Sequence, residues 1–310
     1  MQKKLPKVSI ITATFNCVKN NRSEFLKQCI NSVHGQTYKN TEHIIIDNAS
    51  TDGTLDILNV YKDKNWIKVF SSPDDGIYDA MNRGCACAKG EYILFLNSDD
   101  FLANEHALQT FVESLKTQDY DFVASCCNVL DRNDKIIGTI IPHPERIFSG
   151  MPFAHPAFLV KREIMKSLGG FNTKYKIAGD YDLILRMCLS GAHGITTNNI
   201  LTNFRCGGIS ETKPDITKQE TKQCLMTNLD LSEPQAEFAE QWGYIPTKLL
   251  QNKIKKLQPP FYTKAIRKYN ISRMFHFWGR WLFTVHLGTN TCIKIFGITI
   301  FNNVKKQKDE

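Results

Sequence analysis

Tyr92-Ile93-Leu94-Phe95-Leu96-Asn97-Ser98-Asp99-Asp100 is an apolar run that stops at a knot of polar and acidic side chains. A short apolar run rich in β-formers and closed by turn residues predicts a strand. In open α/β sheets the crevice past the carboxyl ends of parallel strands takes the ligand. A carboxylate there, such as Asp99, suits Mg²⁺ or Mn²⁺ carrying a diphosphate. The same residues also suit a polar turn that caps the next helix, since Asn and Asp favour turns and N-caps. On this stretch alone the two readings stand level.

Working outward, residues 8–12, 42–47 and 67–71 read as further strands, separated by helical patterns. Ser23 is placed to cap a helix through His34, because Phe25, Leu26, Cys29, Ile30 and Val33 recur at helical spacing. Residues 54–61 and 77–88 read as two more helices. Strands alternating with helices predict an α/β fold, a doubly wound and mostly parallel sheet. Polar clusters close three strands: Thr12-Ala13-Thr14-Phe15-Asn16, Asp47 through Thr54, and Asn97 through Asp100.

Five blocks in order carry a resemblance: Val8-Ser9-Ile10-Ile11-Thr12-Ala13-Thr14-Phe15-Asn16, Ile44-Ile45-Ile46-Asp47-Asn48-Ala49-Ser50-Thr51-Asp52-Gly53-Thr54, Gly76-Ile77-Tyr78-Asp79-Ala80-Met81-Asn82-Arg83-Gly84, Leu96-Asn97-Ser98-Asp99-Asp100, and Gly179-Asp180-Tyr181-Asp182-Leu183-Ile184-Leu185-Arg186. In order and spacing they resemble the family 2 glycosyltransferases, enzymes of the Rossmann-like GT-A fold that take a sugar from a nucleotide-sugar. The resemblance spans residues 7–210. It implies that Thr12, Thr14 and Asn16 line the nucleotide pocket, that Asp47 accepts a hydrogen bond from the base, and that Ser50 and Asp52 shape the same loop. A turn into the helix at Thr54 is the simpler reading of Asp52-Gly53, and holds beside any ligand role.

The family's metal motif is Asp-x-Asp, and this chain has Asn97 at its first position. A neutral amide ligates a divalent ion less strongly than a carboxylate. Asp99 is therefore expected to hold Mn²⁺ or Mg²⁺, with Asn97 and Ser98 toward the donor and Asp100 orienting the loop. On the helix after Gly76, Ile77, Ala80, Met81 and Gly84 share the core face, which leaves Asp79 and Asn82 toward the cleft and Arg83 as a secondary phosphate contact.

The resemblance makes Asp180 the general base of an inverting transfer, where the family often has Glu-Asp and this chain has Gly179-Asp180. A bland alternative makes Asp180 a helix N-cap. Asp182 competes for the role, but it stands four residues before Arg186, where an ion pair would occupy it. His155 is a candidate for acceptor or phosphate contact, against the commoner role of a lone His as a structural residue. Arg205 with Gly207-Gly208-Ile209-Ser210 resembles the loop that closes the family's site.

Residues 1–212 are expected to be the catalytic domain and 213–310 a basic, mainly helical extension. Thirteen Lys and Arg fall between 245 and 310 against two acids, a balance of +11 in a chain of net charge +8, so the remainder is −3. Met274, Trp278, Trp281, Leu282 and Val285 make one helical face there, which predicts attachment to an anionic membrane surface. The null alternative is a helix packed on the catalytic domain. Nucleic acid is not expected, for want of a reading motif. The ten cysteines lack paired metal spacing and read as reduced thiols. With no signal-peptide pattern at the start, the expected place is cytoplasmic, peripheral on the inner face of the membrane.

These expectations converge on transfer from a UDP-linked donor to a glycan or lipid-linked acceptor in bacterial surface polysaccharide or lipopolysaccharide synthesis. A sugar nucleotidyltransferase is the rival enzyme, disfavoured because residues 12–16 hold neither a Gly-rich loop nor a basic residue. A non-catalytic carbohydrate-binding protein is the rival outside enzymes.

Overall fold

Residues 5–242, 293–295 and 298–301 are described by the computed structural model of the chain. The first half runs β1 (Val8–Thr14), α1 (Ser23–His34), β2 (Thr41–Asp47), α2 (Thr54–Asp63), β3 (Lys68–Ser71), α3 (Ile77–Cys87), β4 (Tyr92–Phe95), β5 (Phe101–Leu102) and α4 (Ala107–Ser114). The four predicted strands and three predicted helices are all present. Arg22, not Ser23, is the residue before α1, and no side chain caps that helix.

The second half adds β6 (Phe122–Leu130), β7 (Ile136–Ile140), β8 (Phe158–Lys161), α5 (Arg162–Ser167), α6 (Gly179–Ser190), β9 (Gly194–Arg205), α7 (Ile209–Thr212), α8 (Pro214–Leu229) and α9 (Glu233–Trp242). The strands form one sheet in the order β3-β2-β1-β4-β8-β6-β9-β5, with β7 paired to β6 alone. β3, β2, β1 and β4 are parallel. β8 is antiparallel to both β4 and β6, so β6 points the same way as β4.

Successive residues of β1 face opposite sides, and both sides are covered. Ile10 joins the cluster of Val33 and Phe111, whereas Ile11 joins that of Met81, Phe95 and Leu185. That two-sided burial is why these strands read as continuous apolar runs. The chain leaves β1 for β2 and β3 and then returns to β4 on the other side of β1. The resulting switch point sets the crevice where an α/β sheet binds its ligand.

Cys224, Leu225, Leu229, Ala236 and Ala239 belong to the same core cluster as Phe95 and Tyr181. Helices α8 and α9, beyond the boundary expected at 212/213, thus pack on this core. Farther on, β10 (Ile293–Ile295) and β11 (Ile298–Phe301) pair antiparallel where helix was expected, as Ile-x-Ile repeats about Gly297 favour. The aromatic face at 274–285 lies outside the described residues.

Candidate active site

A cavity of about 420 Å³ opens at the carboxyl ends of β1 and β4, and Thr14, Arg22, Asn97, Asp99, His155 and Asp180 all contribute to its wall. Ser98 and Arg205 line it as well. Residues of all five blocks therefore meet in one place.

The 97–100 loop is fixed by its last residue. Asp100 is 1% exposed; its Oδ1 accepts the Arg205 backbone N–H at 3.0 Å, and its Oδ2 accepts Asn97 Nδ2 at 2.9 Å. Burial, reinforced by the charge of Asp99, pushes the Asp100 carboxyl well above the usual carboxylate range despite these donors. Asp100 thus ties the loop to the end of β9. Asn97 Oδ1 is left buried without a partner, and Asp99 faces the cavity with Arg22 Nη1 3.2 Å from its Oδ2.

Asp47 lies elsewhere than the resemblance implied. It is fully buried and outside the cavity wall; Thr14 and Ser50 hydroxyls donate to Oδ1 at 3.0 and 2.6 Å, and Ser50 N–H and Ser71 hydroxyl to Oδ2 at 2.9 and 2.8 Å. Four donors occupy the lone pairs that a base would need. Thr12 is likewise internal, donating to the Leu96 carbonyl at 2.7 Å beside His43. Asn16 and Ser50 join the two neighbouring loops through Asn16 N–H to Ser50 Oγ at 2.8 Å and Thr51 N–H to Asn16 Oδ1 at 3.1 Å. Asp52 makes the turn into α2, accepting Thr54 N–H and hydroxyl at 3.1 and 2.6 Å.

On α3 the expected directions are also corrected. Asp79 pairs with Arg83 at 2.8 Å, Arg83 donates to Ser72 and the Pro73 carbonyl, and Asn82 grips both backbone groups of Phe171 at 2.9 and 2.8 Å. Ile77, expected in the core, is 40% exposed on the cavity wall, and Tyr78 takes the buried place. The Arg205 guanidinium is committed internally: it donates to the Asp99 carbonyl, to Gln28 at 2.9 Å and to Asp134, and lies 3.7 Å over the Phe25 ring. It anchors the acidic loop.

Asp180 is the second residue of α6 and does not cap it; Ala178 precedes the helix and no side chain caps it. Its Oδ1 accepts the Tyr181 N–H at 2.8 Å and lies 3.3 Å from the Tyr78 hydroxyl, which donates to the Ile177 carbonyl. Asp182 is 1% exposed and bonded to Arg186 Nε at 2.7 Å, the ion pair its spacing predicted. His155 Nδ1 stands 3.7 Å from Asp180 Oδ2, while its Nε2 is buried without a partner. Burial lowers the His155 pKa, with the Asp180 charge pulling it back up.

Three residues that sequence reasoning missed shape this half. An added Cβ at Gly179 would meet the Tyr78 ring at 2.6 Å, so Tyr78 fills the side where position 179 has no side chain. Glu220 of α8 accepts the consecutive N–H groups of Lys176, Ile177 and Ala178, each at 2.8 Å, and so sets the approach to Asp180. Arg22 is a basic residue six positions past Asn16, and that position was its only signal.

Among the described residues no three His, Cys, Asp or Glu side chains converge in a metal cage. The nine described cysteines are free thiols.

The sequence profile of Glycosyl transferase family 2 matches residues 9–169. A PGL/p-HBAD biosynthesis glycosyltransferase of Mycobacterium bovis is 27% identical over 226 residues, covering 68% of this chain and 81% of its own. The UDP-Glc:alpha-D-GlcNAc-diphosphoundecaprenol beta-1,3-glucosyltransferase WfaP of Escherichia coli is 30% identical over 210 residues, with 66% and 80% covered. The structure of S. aureus TarS 1–349 in complex with UDP-GlcNAc shares the fold at a TM-score of 0.58 and 18% identity, over 88% of this chain and 80% of that one.

Proposed function

Because the chain belongs to glycosyl transferase family 2, we propose that this glycosyltransferase moves a sugar from a UDP-linked donor to a glycan or lipid-linked acceptor with inversion. The observation that carries the reading is the meeting of Asp99 and Asp180, 81 positions apart in sequence, on one cavity wall. The donors named for WfaP and bound by TarS support UDP, and the acceptor named for WfaP supports a lipid diphosphate.

In this reading Asp180 takes the proton of the acceptor hydroxyl as its oxygen bonds to the anomeric carbon. The bond from that carbon to the diphosphate oxygen breaks on the opposite face, and UDP leaves. Charge gathers on the diphosphate, where Arg22 stands beside Asp99. Asp99 and the unpartnered Asn97 Oδ1 suit a Mn²⁺ or Mg²⁺ ion that takes its other ligands from phosphate and water. Such an ion would neutralise the leaving diphosphate.

Membrane attachment through the basic residues of 245–310, at the inner face of the bacterial membrane, completes the reading. No helix among the described residues is long and apolar enough to cross a membrane. Thermal shift against a panel of nucleotide-sugars with and without Mn²⁺ tests the donor: a ligand at about 100 times its Kd adds about 2.7 kcal/mol of stability. UDP-sugars should raise Tm, and Asp99→Ala should reduce that shift when Mn²⁺ is present. Silence across the whole panel would sink the proposal.

A further inference from the structure

We infer that the β6–β7 hairpin and the apolar rim of the cleft form a docking surface for the hydrocarbon boundary of a membrane, which turns the cleft toward a lipid-carried acceptor. This rests on the lipid-linked acceptor reading above. β6 points the same way as β4, so the hairpin tip at 131–135 rises past the sheet edge where the cleft opens. Asp134 holds the tip to Arg205, and the Arg132 guanidinium lies against Gly207, where an added Cβ would be 3.3 Å from Nη2.

Among the described residues β7 pairs only with β6, which leaves its other edge without a strand there. Ile136 and Ile137 are each 58% exposed although neighbours on a strand point to opposite faces, and Ile141 is 50% exposed. A folded partner seated on one face would leave the other in water. A medium that surrounds the hairpin buries both. The cleft rim adds its own exposed apolar side chains, Phe15, Ile77 and Ile209, which are 55%, 40% and 50% exposed and line the cavity.

Asp131, Arg132, Asp134 and Lys135 cancel in charge, and residues 136–141 carry none. Attraction by this surface is therefore hydrocarbon burial, and salt does not weaken it as it weakens attachment through a basic tail. A second copy paired along the bare β7 edge is the competing occupant.

The test uses the full chain with phosphatidylcholine vesicles at high salt, where charge attraction is suppressed. Hydrogen exchange in peptides covering 131–142 should slow when vesicles are added. The double variant Ile136→Asp/Ile137→Asp should partition about tenfold or more weakly, with its UDP-sugar thermal shift unchanged. Equal partitioning of the two proteins, or unchanged exchange at 131–142 in vesicle-bound chain, overturns the inference. Protection that grows with protein concentration in the absence of vesicles also overturns it, in favour of the second copy. Vesicle protection in a chain that responds to no nucleotide would remove the donor reading and keep the docking surface.

Discussion

Gly179→Ala is the sharpest probe of how the proposed base, Asp180, is held. The backbone at Gly179 does not lie in the left-handed region, so conformation alone favours alanine there, by at most about 1 kcal/mol of helix propensity. Sterics oppose it. The new Cβ would sit 2.6, 2.7 and 2.9 Å from three carbons of the Tyr78 ring. That ring cannot swing aside freely: it is 6% exposed, its hydroxyl is bound to the Ile177 carbonyl, and it stacks on Phe171 at 5.3 Å. Overpacking of this kind costs about 1–3 kcal/mol, which outweighs the propensity gain. A net loss of about 1–2 kcal/mol should lower Tm by roughly 2–8 °C in calorimetry. Asp180 is the next residue, and a displacement approaching 1 Å costs about 10²-fold in rate, so turnover should fall by about tenfold or more. Shrinking the neighbour should relieve the clash. Tyr78→Leu/Gly179→Ala should then be better than the sum of its parts, with a coupling of about 0.5–3 kcal/mol. A Gly179→Ala protein with wild-type Tm and turnover, or a cycle without coupling, would refute this account of the site.

Asp180→Asn should keep nucleotide binding and lose about 10²- to 10⁴-fold in turnover, whereas Asp182→Asn should act chiefly on stability by disturbing the buried pair with Arg186. Single-turnover kinetics beside a melting curve separates them, and the reverse pattern would move the base to Asp182. Acid stability follows two buried groups. Burial lowers the His43 pKa from 6.5 to about 3, so its contribution is present above pH 6.5 and is lost as pH falls toward 3. Burial alone would raise Glu42, but Lys68, the Ser9 hydroxyl and the Lys89 N–H outweigh it and bring its pKa from 4.5 to about 2. Its share is thus present above pH 4.5 and fades below. Urea titrations should show the midpoint falling from pH 6.5 downward, less steeply in His43→Gln, with Glu42→Gln flattening only the part below pH 4.5. Parallel curves for all three proteins would contradict the assignment.

The parallel half of the sheet was legible because its signals are local: apolar runs, turn clusters and helical spacing each lie within a dozen residues. Asp182 was legible for the same reason, its partner being one helical turn away. The settings of Asp47, Asn82 and Arg205 were not legible because partners of each are distant in sequence. Two of the four donors to Asp47 come from Thr14 and Ser71, 33 and 24 positions away, and Asn82 grips Phe171 at a separation of 89. Carboxylates, amides and guanidinium groups recognise backbone as readily as ligands, and only the folded chain decides which. The boundary expected at 212/213 follows the end of the family resemblance at 210, and the packing of Cys224, Leu225 and Leu229 on the core depends on partners far from them in sequence.

The Glu220 clamp has a consequence for the newborn chain. Synthesis delivers the nucleotide side of the cleft first, yet the three N–H groups leading to Asp180 find their carboxylate only once α8 has emerged and docked. A ribosome-bound chain with residues up to 212 clear of the exit tunnel should therefore accommodate donor without an aligned base, and one with residues up to 242 clear should present both. Hydrogen exchange at 176–178 on chains arrested at the two lengths would expose the difference, and equal protection would show that the loop sets itself. On the proposed reading, translation itself would delay activation of the donor until the acceptor side has been assembled.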